Sequence, residues 1–96
     1  PPDVRFGYTN AGEPSFKNDP SFFFQETLLR YRQIMVTNGD AGKKIWVTEF
    51  GWASSQHPLP GYGYAADVTL SEQAQYLVKA YQMMKAWGWI GPALTW

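Results

Sequence analysis

Phe24, Leu28, Tyr31 and Met35 recur at spacings of four, three and four, which puts them on one face of an α-helix. Asp19 suits the N-cap, Pro20 suits the first helical position, and Asn38-Gly39 supplies a stop. The pattern predicts a helix over 20–37. Ala74, Leu77, Val78, Tyr81 and Met84 share one face of a second helix. It opens on Thr69-Leu70-Ser71-Glu72, a capping box of the form T-x-x-E, and closes at Gly88. Between the helices, Lys44-Ile45-Trp46-Val47-Thr48-Glu49-Phe50 is rich in β-branched and aromatic residues and reads as a strand. Apolar residues on both of its faces are the signature of a parallel strand buried on each side. Strict alternation sets Ile45, Val47 and Glu49 on one face and Trp46 on the other. A carboxylate therefore stands at the C-terminal end of a buried strand.

Two long loops frame these elements. Residues 1–19 are punctuated by Pro1, Pro2, Gly7, Gly12 and Pro14, with Val4–Tyr8 a candidate short strand. Residues 51–68 form the second loop and carry His57, Tyr62 and Tyr64. After Gly88 the chain runs through Trp89-Ile90-Gly91-Pro92 into Ala93-Leu94-Thr95-Trp96, which reads as the start of another strand. The order is loop, helix, strand, loop, helix, strand, and it argues for a parallel α/β arrangement. One helix, one strand, a second helix and the start of a strand do not cover two faces of a sheet. The chain is expected to be a piece of a larger domain.

Composition narrows the function classes. Eight Lys+Arg balance eight Asp+Glu in 96 residues, so no basic excess is available to neutralise phosphates and nucleic acid is not an expected partner. No run approaches the roughly 18 apolar residues of a membrane span. Cysteine is absent, which removes disulfides and thiolate chemistry. Residues with metal-ligand spacing, a phosphate-binding glycine loop and a nucleophile elbow are all lacking. No cofactor is expected. Aromatic residues, in contrast, make up 18% of the chain, while charged residues make up 17% against about 25% in ordinary domains. Trp and Tyr offer a flat apolar face with a polar tip, which suits both core packing and stacking on sugar rings.

The segment Ile45-Trp46-Val47-Thr48-Glu49-Phe50-Gly51-Trp52 resembles strand seven of the (β/α)8-barrel glycoside hydrolases of the large clan with cellulase-like, mannanase-like and β-xylosidase-like families. There an apolar strand ends in a Glu-Phe/Tyr-Gly motif whose glutamate is the catalytic nucleophile. The resemblance implies a TIM-barrel fragment: helix six, strand seven, helix seven and the start of strand eight, all within one partial C-terminal segment over residues 1–96. It implies hydrolysis of β-linked glycosides by a retaining double displacement, with Glu49 as nucleophile. Trp96 resembles the tryptophan that ends strand eight and floors the sugar subsite. The surplus loop over 53–68 falls on the C-terminal side of its strand, the side where barrel active sites lie.

Retention needs a second carboxyl group about 5–5.5 Å from the first. Ala11-Gly12-Glu13-Pro14 is superficially similar to the Asn-Glu-Pro that carries the acid/base in this clan. Gly12 stands where Asn is required, no apolar strand precedes it, and only one helix separates it from the strand read as seven. The acid/base is therefore expected outside this chain, which alone should be inactive. Trp52 is expected either to line the cleft or to pack in the core. His57, Tyr62 and Tyr64 are placed on the loop above the strand, where they reach substrate or simply pack. Trp46 is expected between sheet and helices, and Met83, Met84, Trp87 and Trp89 are expected to pack. The carbohydrate is the expected partner, and exposed sheet edges in the isolated chain invite self-association. Two rival readings remain: a non-catalytic carbohydrate-binding protein on the same fold, and a small α/β interaction domain.

Overall fold

The computed structural model describes residues 23–96. The loop over 1–19, the strand Val4–Tyr8, the Asp19 cap, Pro20 and Glu13 lie outside the described residues. Helix α1 covers Phe24–Thr37, strand β1 Ile45–Phe50, a 3-10 turn Gly63–Asp67, helix α2 Leu70–Trp87 and strand β2 Ile90–Thr95. β1 and β2 pair in parallel, joined through α2, so the chain is mixed α/β with the expected crossover.

Helix α1 starts at Phe24. Phe23 sits just before it in an extended conformation, φ −104° and ψ 131°, and caps it without a side-chain hydrogen bond. Its ring is buried, which fixes the entry of the helix by packing. Of the predicted apolar face, Leu28 is buried and Phe24 packs on the core, whereas Tyr31 is exposed. The stop at Asn38-Gly39 is observed: Asn38 Nδ2 donates to the Ile34 carbonyl at 2.8 Å, and Gly39 takes a positive φ of 86°. Arg32 then fastens the turn that leads into β1. Its Nη1 and Nη2 donate to the carbonyls of Lys43 and Ala41 at 3.1 and 2.8 Å. Its guanidinium also lies over the Trp89 ring, which stacks on Trp87 at 4.7 Å. The end of α1, the start of β1 and the exit of α2 are joined by this one cation.

Helix α2 follows its sequence signals at both ends. Thr69 Oγ1 accepts from the Glu72 N–H and a Glu72 carboxylate oxygen accepts from the Thr69 N–H, each at 3.1 Å. Gly88 ends the helix with φ 74°, a left-handed value that side chains rarely adopt. The buried stripe is rotated from the predicted one. Tyr76, Ala80 and Met84 are buried, with Leu77, Met83 and Trp87 packed beside them. Val78 and Tyr81 are exposed, and so is Ala74. Ala80 is fully buried, so the helix makes its closest approach to the core where the side chain is smallest. The core joins Leu28 of α1, Val47 of β1, Trp52 and Val68 of the connecting loop, and the buried residues of α2.

The sheet register carries the most consequential detail. Ile45 pairs with Ile90, Val47 with Ala93, and Phe50 with Thr95. From the first pair to the second, β1 advances two residues and β2 three. From the second to the third, β1 advances three and β2 two. Two bulges, one in each strand, therefore cancel. The first accommodates Pro92, which has no N–H to give to a ladder. The second falls at Thr48-Glu49.

This second bulge breaks the alternation expected of β1. Val47 is buried against the helices and Phe50, three residues on, packs against the same core. Odd spacing puts two residues on one side only if an extra residue is absorbed between them. Thr48 and Glu49 are both exposed as a result. Trp46 is also corrected. It is 70% exposed and lies on the sheet face opposite Val47, with no helix over it among the described residues. Its indole crosses β2 where Gly91 leaves room: a Cβ at Gly91 would stand 2.7 Å from the Trp46 ring.

Candidate functional site

Glu49 and Trp96 stand at the C-terminal ends of two neighbouring parallel strands. β1 carries Glu49 one residue before its end, and Trp96 directly follows β2. The Trp96 N–H donates to the Phe50 carbonyl at 2.9 Å, which extends the ladder one step past β2. The approach is close enough that a Cβ on Gly51 would stand 2.8 Å from the Trp96 carbonyl oxygen. The strand ends meet here because Gly51 has no side chain. Glu49 is exposed, and Trp96 is 90% exposed, so a carboxylate and a free indole occupy one end of the sheet.

Helix α2 holds both strand ends from the side. Gln73 Nε2 donates to the Trp52 carbonyl at 2.6 Å. The Tyr81 hydroxyl hydrogen-bonds Thr95 Oγ1 at 2.7 Å and donates to the Ala93 carbonyl at 3.3 Å. The Tyr81 ring also meets Phe50 edge-on, with centroids 5.3 Å apart. Sequence reasoning missed Gln73 and Tyr81 as ties. The bulge left a trace, since Thr48-Glu49 is a polar pair that interrupts an apolar run.

The loop after β1 is closed at its neck. The Ser55 N–H donates to the Ala65 carbonyl at 2.9 Å, and Ser54 Oγ donates to the Val68 carbonyl at 2.6 Å. These bonds make the intervening stretch a compact Ω-type loop between β1 and α2. His57 and Tyr62 are exposed on it, and Tyr64 is half-buried with its ring 6.0 Å from that of Tyr62. Both His57 and Tyr62 are open to solvent. Trp52 has a different place. It is buried among Phe24, Phe50 and Tyr76, with ring centroids 5.4–6.3 Å away. Of its two expected roles, core packing is observed, and Trp52 also borders the groove described below.

A groove of about 340 Å³ lies between α1 and β1. Phe24 and Tyr31 of α1 border it, with Trp46 and Glu49 of β1. Among the described residues no group of three or more His, Cys, Asp or Glu could hold a metal ion, and no helix is long and apolar enough to cross a membrane. Compared with known proteins, the chain matches no family model, no curated protein and no solved structure.

Proposed function

We propose that this chain belongs to a (β/α)8-barrel glycoside hydrolase that cleaves β-linked glycosides with retention, and that Glu49 is its nucleophile. The observation that carries the reading is the exposed Glu49 carboxylate, set on a bulge at the C-terminal end of a parallel strand beside the exposed Trp96. Bulges recur next to active sites because they re-aim a side chain out of the alternation. The C-terminal strand ends are also where barrel enzymes assemble their chemistry.

In this reaction a Glu49 carboxylate oxygen attacks the anomeric carbon. The bond from that carbon to the leaving oxygen breaks, and a second carboxylic acid gives its proton to the leaving oxygen. Water then attacks the glycosyl ester as the second group takes a proton from it, which releases the sugar and regenerates both carboxyl groups. The second group comes from another βα unit of the barrel. Trp96 offers its indole as the floor for the sugar, and the exposed loop residues His57 and Tyr62 add contacts to it. Trp46, Leu94 and Trp96 are large, exposed apolar residues of the sheet, so the isolated chain covers them with a second copy of itself.

The experiment is turnover of an activated aryl β-glycoside by the barrel that contains this chain. Glu49→Gln keeps the shape of the side chain but cannot form the ester. Turnover is expected to fall by three or more orders of magnitude, about 4 kcal/mol or more in barrier. Retained turnover refutes the assignment. A parent that binds oligosaccharide but has no turnover favours the non-catalytic carbohydrate-binding reading.

A further inference from the structure

The bulge at Thr48-Glu49 has a cost in support. The extra residue interrupts the ladder directly beneath the strand end, so regular pairing does not hold Glu49 in place. Beside the Trp96 N–H bond to the Phe50 carbonyl and the packing of Phe24 on Phe50, two side chains of α2 reach the strand end. Gln73, in the first turns of α2, donates to the carbonyl of Trp52, three residues past Glu49. Tyr81, eight residues on, bonds Thr95, the residue just before Trp96, and packs its ring on Phe50, the residue just after Glu49. Eight residues of helix span about 12 Å. Long side chains on a helix lean toward its N-terminus, which is how Tyr81 reaches the same end of the sheet as Gln73.

We infer that Gln73 and Tyr81 are positioning residues that set Glu49 against Trp96, with Gln73 governing the carboxylate and Tyr81 the sugar platform. The inference rests on the reading of Glu49 as nucleophile. It divides the labour between two side chains that touch neither substrate nor the reacting atoms. Misplacement by about 1 Å can lower a rate by around a hundredfold, so a tie at the strand end acts on the chemical step. Displacement of the platform acts on ground-state binding instead and is read in KM.

The test compares Gln73→Glu and Tyr81→Phe in the barrel that contains this chain, on an activated aryl β-glycoside, with active sites counted by titration. Gln73→Glu is isosteric and replaces the donor with an acceptor at neutral pH. It is expected to lower kcat per titrated site about 10–100-fold while KM stays within about threefold. Lowering the pH through the titration of the introduced carboxyl returns a donor, so the ratio of variant to wild-type kcat should rise on the acid side. A packing role would not produce that recovery. Tyr81→Phe keeps the ring on Phe50 and removes only the hydroxyl. It is expected to raise KM about tenfold with kcat nearly unchanged. Unchanged constants per titrated site, with only fewer active sites or a lower Tm, overturn the inference. So do parallel losses in the two variants. Glu49→Gln serves as the control: if it retains turnover, the nucleophile reading itself has failed, and the positioning claim falls with it.

Discussion

The Trp96 N–H donates to the Phe50 carbonyl at 2.9 Å, and this bond brings the ends of the two strands into backbone contact. Gly51 lies against the same junction. A Cβ there would stand 2.8 Å from the Trp96 carbonyl oxygen, closer than such contacts occur. Gly91 is equally tight against a Cβ, at 2.7 Å, but its neighbour is the Trp46 ring.

The two glycines should therefore respond differently to the same change. Gly51→Ala forces backbone apart and is expected to destabilise the chain by about 1–3 kcal/mol. Gly91→Ala meets a side chain that is largely exposed and can swing away, so its cost should stay below about 1 kcal/mol. Urea unfolding of both variants measures the difference. Equal losses would contradict the close backbone approach at Gly51.

The capping box gives a pH dependence with a definite sign. Hydrogen bonds from Thr69, first from its backbone N–H and then from its side chain, hold the Glu72 carboxyl below its ordinary value. A folded-state value below the unfolded one means that the carboxylate stabilises the helix above the ordinary glutamate range. That stability is lost as the pH falls through the lowered value. The gap in unfolding midpoint between wild type and Glu72→Ala should therefore be present near neutral pH and close in acid. Thr69→Ala is expected to cost about 1 kcal/mol at neutral pH. A gap that widens in acid would contradict the assignment.

The fold was legible wherever a local signal decides the structure. Thr69 and Glu72 fix the start of α2, Gly88 fixes its end, and the apolar run at 45–50 reads as a parallel strand, because capping and strand burial depend on neighbouring residues. The facing of side chains was less legible. Trp46 was expected under a helix and is exposed, and the stripe on α2 sits at Tyr76 and Ala80 rather than at Ala74 and Val78. Both depend on which neighbour each face meets, a tertiary matter that periodicity does not contain. The candidate site divides the same way. The motif places Glu49 at the strand end, but the bulge that exposes it comes from pairing with β2, and alternation alone turns it the other way. Trp52 lies three residues from Glu49 in sequence and in the core in space.

Sugar binding should separate from chemistry. Trp96 is the most exposed of the large apolar residues among the described residues, and stacking is its natural contribution. Trp96→Ala is expected to weaken oligosaccharide affinity in the parent barrel by roughly 1–3 kcal/mol, by analogy with base stacking on aromatic side chains. Glu49→Gln should leave affinity nearly unchanged. Calorimetric titration of both variants measures this. If both bind like wild type, the sugar site lies elsewhere.

The isolated chain offers a test of its own. Trp46 and Leu94 are 70% and 59% exposed, and neither carries a charge to repel a like surface. Sedimentation of the 96-residue chain should show concentration-dependent association. Trp46→Lys with Leu94→Lys should shift it toward monomer. A stable monomer at all concentrations would contradict the expectation.

The central claim, that Glu49 forms a covalent bond to the sugar, is tested most directly by trapping. A 2-deoxy-2-fluoro-β-glycoside with a good leaving group slows hydrolysis of the glycosyl ester more than its formation, so the intermediate accumulates. Peptide mass spectrometry of the inactivated parent barrel then locates the sugar. The expected result is one glycosyl group per chain, carried by the peptide that contains Thr48-Glu49-Phe50 and fragmenting to Glu49. Label on a different carboxylate, or complete turnover of the reagent by Glu49→Gln, would contradict the claim.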